Sequence, residues 1–339
     1  MKMQSILSYT YDEFEKEILA SGIPKYRAGQ IFQWVFEKGA RSFDEMTNLS
    51  VDLRKQLSER FSFPKFEHEV FVSTDGTQKF RFALSDGKTI ESVWMPEERR
   101  NTLCISSQVG CAMKCAFCVT GAVGFKRNLS PEEIAAQVWF VKSVLKLPLS
   151  NVVYMGMGEP LANMEAVIRS LDLVTDKRGL AVGKRRITVS TVGLAPKIKE
   201  FFDKTDVKLA ISLTGTNDAD RDHWMPINKT YDLTRLTQEL RHIRLAPGRL
   251  FTFEVVMLRG ETDGERQAKE LARVLQGIPS KVNLIPYNEN PYFPDLKTPD
   301  PEKIERFRDI LMAAGIHAMI RRNRGVDIMG ACGQLAGEN

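Results

Sequence analysis

The chain has 339 residues, 43% of them hydrophobic and 27% charged, and carries a net charge of +5. That composition is ordinary for a folded protein and leaves no low-complexity tract. No apolar run approaches the ~18 residues a membrane helix needs, and Met1-Lys2-Met3-Gln4-Ser5 has no apolar signal character, so a cytoplasmic protein without a membrane partner is expected. Residues 1–62 read as a helical module. Asp12 to Ala20 carries Phe14, Ile18 and Leu19 at helical spacing and stops at Ser21-Gly22. Lys25 to Lys38 carries Ile31, Phe32, Val35 and Phe36 and stops at Gly39. Ser50 caps a third helix holding Leu53, Leu57 and Phe61. The aromatics here, Trp34 included, read as core packing. Lys25, Arg27, Lys38, Arg41, Arg54 and Lys55 around them are compatible with an RNA-facing surface, as is the mildly basic balance of the whole chain. Further basic runs, Lys126-Arg127 and Lys184-Arg185-Arg186, read first as solvated surface, while Arg321-Arg322 with Arg324 reads equally as solvated surface or as a phosphate-facing patch.

Residues 63–100 change period. Glu69 to Val72, Lys79 to Leu84 and Thr89 to Trp94 read as strands, joined by the hairpin signals Asp75-Gly76 and Asp86-Gly87. From residue 101 to 325 strand and helix alternate. Strands are expected at Thr102 to Ser106, Asn151 to Met155, Arg186 to Ser190, Lys208 to Leu213, Leu250 to Met257, Val282 to Ile285 and His317 to Arg321. The helices between them run from Pro131, Met164, Ala195, Leu233, Gly264 and Pro301; Ser130 with Glu133 makes a capping box for the first. Six βα units imply an α/β fold with a parallel sheet, short of the eight that close a full barrel. The expected architecture is a partial (βα)6 barrel with an N-terminal helical accessory domain and a small β meander. Residues 326–339 form a tail. Chemistry is then expected at the C-terminal ends of the strands.

Three cysteines, Cys111, Cys115 and Cys118, follow the first barrel strand in a C-x3-C-x2-C spacing. A structural zinc site takes four protein ligands, whereas a cubane has four irons, so three thiolates leave one iron open. The competing readings are three packed core cysteines and a zinc site completed by Cys104 or Cys332. After the second strand comes Met155-Gly156-Met157-Gly158-Glu159-Pro160, whose glycines let the backbone approach a ligand and whose Glu159 can accept from an amine. Ser190-Thr191, Ser212-Leu213-Thr214 and Asn288 end later strands. Cys104 and Cys332 lie outside the three-cysteine loop, either a transient redox pair or two unrelated thiols.

The C-x3-C-x2-C loop resembles that of the radical S-adenosylmethionine (SAM) enzymes. Together with Met155 to Asn163 (MGMGEPLAN) and Ala331 to Leu335 (ACGQL), it resembles the RlmN/Cfr family of RNA adenosine methyltransferases over essentially the whole chain. Tyr26 to Leu57 and Pro160 resemble the RlmN branch. The resemblance implies a radical SAM barrel in which Cys111, Cys115 and Cys118 hold a [4Fe-4S] cluster, and Gly158, Glu159, Ser190, Ser212, Leu213, Thr214 and Asn288 contact SAM. It implies that Cys332 is methylated by one SAM. A second SAM, cleaved to a 5′-deoxyadenosyl radical, takes a hydrogen from that methyl, and the methylene radical adds to adenine C2. It further implies that Cys104 releases the product by attacking the Cys332 sulfur, and that Glu91 is the proton acceptor. A radical suits this carbon, which is electron-poor and offers no lone pair. The implied partners are large-subunit ribosomal RNA, tRNA beside the anticodon, and an electron donor such as flavodoxin, with the enzyme a monomer. Thr214 stands where the family usually has His, and Asn288-Glu289-Asn290-Pro291 departs from its usual Asn-Pro. The rival readings are C8 methylation of the same adenosine, a non-catalytic iron–sulfur or zinc RNA-binding protein, and an activase acting on a protein.

Overall fold

A computed structural model describes residues 3–64 and 66–337. Ten strands lie in one open sheet, in strict chain order: β1 (Glu67–Val72), β2 (Gln78–Ala83), β3 (Thr89–Met95), β4 (Thr102–Cys104), β5 (Asn151–Tyr154), β6 (Ile187–Thr191), β7 (Lys208–Ser212), β8 (Phe251–Met257), β9 (Ser280–Pro286) and β10 (His317–Ile320). From β4 to β10 every neighbour pair is parallel. The expected meander is part of this sheet: β1, β2 and β3 pair antiparallel, and β3 runs antiparallel to β4, with Val93 opposite Cys104.

Helices α1 (Tyr11–Ala20), α2 (Tyr26–Phe32) and α3 (Val51–Arg60) precede the sheet. Six more cross over between the parallel strands: α4 (Pro131–Trp139), α5 (Met164–Thr175), α6 (Ala195–Lys204), α8 (Leu233–His242), α9 (Glu265–Val274) and α10 (Pro301–Ala313). A short helix, α7 (Asp218–Trp224), is added in the loop after β7. The Ser130–Glu133 capping box starts α4: the Ser130 N–H donates to the Glu133 carboxylate at 2.9 Å and the Glu133 N–H returns to Ser130 Oγ at 3.3 Å. The first barrel strand is shorter than expected because the chain leaves the ladder after Cys104; the Ile105 N–H still reaches Val153 O at 2.9 Å.

The helix expected over Lys25 to Lys38 changes to π-helical winding at Gln33–Lys38, and α4 does the same at Phe140–Val144. The wider turn leaves the Val35 carbonyl accepting a 2.9 Å hydrogen bond from the Trp139 indole, so the N-terminal helices are keyed to the barrel. Phe14, Phe32 and Phe61 are buried in the N-terminal part, with ring centroids 5.2–5.3 Å apart around Phe14. Among the described residues no helix is long and apolar enough to cross a membrane.

Candidate active site

The loop that carries the three cysteines is closed by a two-residue ribbon, Gln108–Val109 against Arg127–Asn128. Gly110 has φ +71°, and a Cβ there would sit 1.7 Å from Gly124 O, so any side chain would open the loop. Cys111 is buried and Cys115 and Cys118 are half-buried; all three thiols are free. Burial pushes them up, Cys111 to about 12 and Cys115 well above the ordinary thiol value, where the charges of Cys118 and Cys111 add to the effect. Burial likewise raises Cys118, opposed by hydrogen bonds from Gly121 and Thr120. Such thiols ionise only if a cation is placed among them. Among the described residues no three His, Cys, Asp or Glu side chains converge on a single ion. Zinc would hold its sulfurs about 3.8 Å apart, from a bond of about 2.3 Å and tetrahedral angles. A cubane puts each thiolate on a different iron, which spreads the sulfurs further.

Gly158 and Glu159 follow β5. Gly158 has φ +103°, and a Cβ there would fall 2.5 Å from that of Gln108. Gln108 Oε1 accepts the Glu159 N–H at 2.8 Å, which locks this turn against the cysteine loop. Glu159 is buried, and its carboxylate accepts from Leu161 N at 2.9 Å and Val192 N at 2.8 Å. Burial raises its pKa to about 7, against those hydrogen bonds. Ser190, on β6, donates to Tyr154 O at 2.9 Å. Ser212 ends β7; Leu213 and Thr214 follow it and are buried, and Thr214 Oγ1 accepts from Val256 N at 3.2 Å. Asn288 follows β9; its amide donates to Cys332 O at 3.0 Å, while its buried Oδ1 has no partner. These residues share the C-terminal edge of the parallel strands.

The tail comes back across that edge. Val119 N donates to Gly333 O at 2.8 Å and Gln334 Nε2 to Glu289 O at 3.0 Å. Cys332 is exposed as a residue, while surrounding protein atoms desolvate its thiol. That burial raises its pKa, with the charge of Glu254 adding and that of Arg321 opposing. Cys104, buried at the end of β4, is raised far above the ordinary thiol range by burial, with the charge of Cys332 adding to it. Glu91, on β3, is 1% exposed, accepts from Lys79 Nζ at 3.1 Å and receives the Ala336 N–H at 3.1 Å.

The departure at Glu289-Asn290 has a structural account. Glu289 accepts from Lys297 at 3.1 Å and Thr298 N at 3.2 Å, and Asn290 donates to the Tyr287 hydroxyl at 2.8 Å. The two extra polar residues knit the loop that receives Gln334. Arg127 is drawn into ion pairs with Asp86 at 2.7 Å and Glu133 at 2.8 Å, which removes it from the basic surface. Sequence reasoning missed Gln108, Gln334 and, above all, Arg221. The first two are ordinary polar residues whose role is set by contacts distant in sequence. Arg221 sits on a short helix that lies outside the βα rhythm.

A profile of the radical SAM superfamily matches residues 105–272, and one of a ribosomal RNA large subunit methyltransferase N-terminal domain matches residues 4–62. The chain is 49% identical over 320 residues to a dual-specificity RNA methyltransferase RlmN 2 of Myxococcus xanthus, covering 92% of this chain and 84% of that protein. It is 45% identical over 337 residues to a dual-specificity RNA methyltransferase RlmN of Geobacter sulfurreducens, covering 99% of this chain and 93% of that one. The chain is similar in structure to a radical SAM methyltransferase from Sphaerobacter thermophilus, with a TM-score of 0.93 at 41% identity over 98% of this chain and 99% of that one. Radical SAM proteins bind a [4Fe-4S] cluster and SAM. The donors here fit such groups: three free thiols on one loop without a fourth, a glycine turn with no room for a side chain, and an orphaned Asn288 oxygen at the strand ends. The chain belongs to the RlmN-type family of radical SAM methyltransferases.

Proposed function

We propose that the protein methylates C2 of an adenosine in large-subunit ribosomal RNA and also in tRNA next to the anticodon. Cys332 serves as methyl carrier and Cys104 as releasing thiol. The observation that carries this reading is the return of the tail over the strand-end edge, where Asn288 holds the Cys332 carbonyl at 3.0 Å and Val119, next to Cys118, holds the Gly333 carbonyl at 2.8 Å.

Cys111, Cys115 and Cys118 would hold the cluster. Glu159, with Gly158, Ser190, Ser212, Leu213, Thr214 and Asn288, would hold SAM. When bound, these groups supply the methyl and the one-electron chemistry that adenine C2 requires, using two SAM per turnover. The chain's own part is positional. Asn288 and Gln334 fix the backbone on both sides of Cys332, so its sulfur is presented from a set position. Cys104, buried at the end of β4, attacks the Cys332 sulfur: the S–S bond forms as the bond from that sulfur to the transferred carbon breaks, and the carbon leaves on the RNA and takes up a proton to become the methyl group. Glu91 accepts the proton leaving C2. Residues 1–62 and the exposed pair Arg321-Arg322 beside the site hold the phosphate backbone. A paired adenosine reaches the site only after flipping out of its stack, at a cost of a few kcal/mol. Two electrons are needed in net per turnover, from a donor such as flavodoxin, and the Cys104–Cys332 disulfide is reduced back to thiols before the next cycle; the enzyme works as a monomer.

The test is a trapping experiment. Cys104→Ala, expressed in cells, should purify with RNA joined covalently to Cys332. The double variant Cys104→Ala, Cys332→Ala should carry none. A Cys104→Ala protein free of RNA adduct would remove Cys104 from the proposal.

A further inference from the structure

Arg221, on α7, is 0% exposed, and its guanidinium is surrounded by neutral groups. Nη2 donates to Val192 O at 2.8 Å, and Nη1 to Ser212 O at 3.2 Å and Met225 Sδ at 3.2 Å. Its buried Nε has no partner. Among the described residues no carboxylate lies within 4.0 Å of it to form an ion pair. The acid whose field it feels, Asp218, is turned to Leu233 N at 2.9 Å and Asn228 Nδ2 at 3.0 Å. A buried cation without a counter-ion is costly and is kept where an anion is to arrive.

Its surroundings say which anion. Val192 is clasped from two sides: Arg221 takes its carbonyl and Glu159 its N–H at 2.8 Å. Ser212 ends the next strand. The helix that carries Arg221 touches the three-cysteine loop directly, through Ala116 N donating to Trp224 O at 3.0 Å. Trp224 and Met225 also belong to the buried cluster, with Leu258 and Tyr287, against which Cys115, Ala116 and Phe117 pack. A cubane with a 2+ core and three thiolates carries one net negative charge, and reduction adds a second.

We propose that Arg221 is the charge-compensating residue of the three-cysteine site: its missing counter-ion is the thiolate-bound cluster, whose reduced form it favours over the oxidised one. This rests on the reading that Cys111, Cys115 and Cys118 hold a cluster. It makes Arg221 a positioning residue for the Val192 and Ser212 carbonyls and an electrostatic one for the cluster. A neutral side chain of similar length would make the cluster harder to reduce, and a lysine would preserve the charge while losing the fork.

The full-length protein, Arg221→Met and Arg221→Lys are each reconstituted anaerobically with iron and sulfide. Bound iron is counted, and the midpoint potential is followed by electron paramagnetic resonance. The expected result is that Arg221→Lys keeps the wild-type potential. Arg221→Met should lose at least tenfold in the reduction equilibrium, a shift of about 59 mV to the negative. A second supporting result is a folded Arg221→Met protein that retains little iron while Arg221→Lys retains a full complement. Melting of the iron-free proteins separates charge from scaffold: Arg221→Met should melt no lower than Arg221→Lys, since both lose the fork to the Val192 and Ser212 carbonyls and only the lysine keeps an unpaired buried cation. Equal potentials in all three proteins would overturn the proposal, as would equal loss of iron in Met and Lys or an iron-free Met protein that fails to fold. A wild type that takes up no cluster would overturn this inference together with the reading beneath it.

Discussion

Glu91 accepts the main-chain N–H of Ala336 at 3.1 Å while holding Lys79 Nζ at the same distance, and Lys79 in turn reaches Met329 O at 3.4 Å. One buried ion pair therefore grips the tail on both sides of Cys332. Its partners sit on β2 and β3, so the antiparallel extension serves as the anchor for the tail.

The pair makes a stability prediction. Glu91→Gln leaves Lys79 buried without its counter-charge and should cost about 3–5 kcal/mol. Backbone amides from Gly330 to Ala336 should then exchange with deuterium faster than those of the barrel helices. Unchanged protection of Ala336 would show that the tail is held by its other contacts alone.

Glu254, on β8, is buried beside Asn283, which donates to it at 2.8 Å. Burial raises its pKa from 4.5 to about 7, partly opposed by Asn283, Arg321 and Lys281. Between those values the folded chain holds a proton that the unfolded chain has released. Stability from this group is thus full below about 4.5 and is lost as the pH rises through 7. Glu254→Gln should melt higher than the wild type at pH 8, by an amount worth at most about 3 kcal/mol, and the gap should close near pH 4.5. Glu159 titrates in the same window but is common to both proteins, so the difference isolates Glu254. A gap of constant size across pH would contradict the assignment.

The Trp139 indole donating to Val35 O couples the N-terminal helices to the barrel. Trp139→Phe removes the donor from a buried carbonyl and should cost about 1–3 kcal/mol. Limited proteolysis should then cut first between the N-terminal helices and the sheet. Wild-type cleavage kinetics would mean that packing alone holds the two together.

Much of this was legible from residue order. The βα rhythm placed seven parallel strands and six crossover helices because each strand is a short apolar run and each helix a 3.6-residue stripe. The Ser130–Glu133 box and Gly39 worked for local reasons, in φ and hydrogen bonding, that the neighbouring residues fix. The three-cysteine loop was legible because Gly110 and the thiol spacing are both local. What escaped was non-local. The union of the meander with the main sheet rests on β3 pairing with β4, and sequence alternation says nothing of a strand's partner. The π windings of Gln33–Lys38 and Phe140–Val144 answer each other across the chain. Arg221 reads as a surface residue of an acidic stretch, Asp218 to Asp222; its burial appears only when α7 folds over the strand ends.

The central claim is methyl transfer to adenine C2 through Cys332. It is tested most directly by expressing the protein in a bacterium lacking any enzyme of this family and digesting its ribosomal and transfer RNA separately for nucleoside mass spectrometry. The expected result is 2-methyladenosine in both pools, absent with Cys332→Ala. Finding 8-methyladenosine instead, or 2-methyladenosine undiminished in Cys332→Ala, would contradict the account.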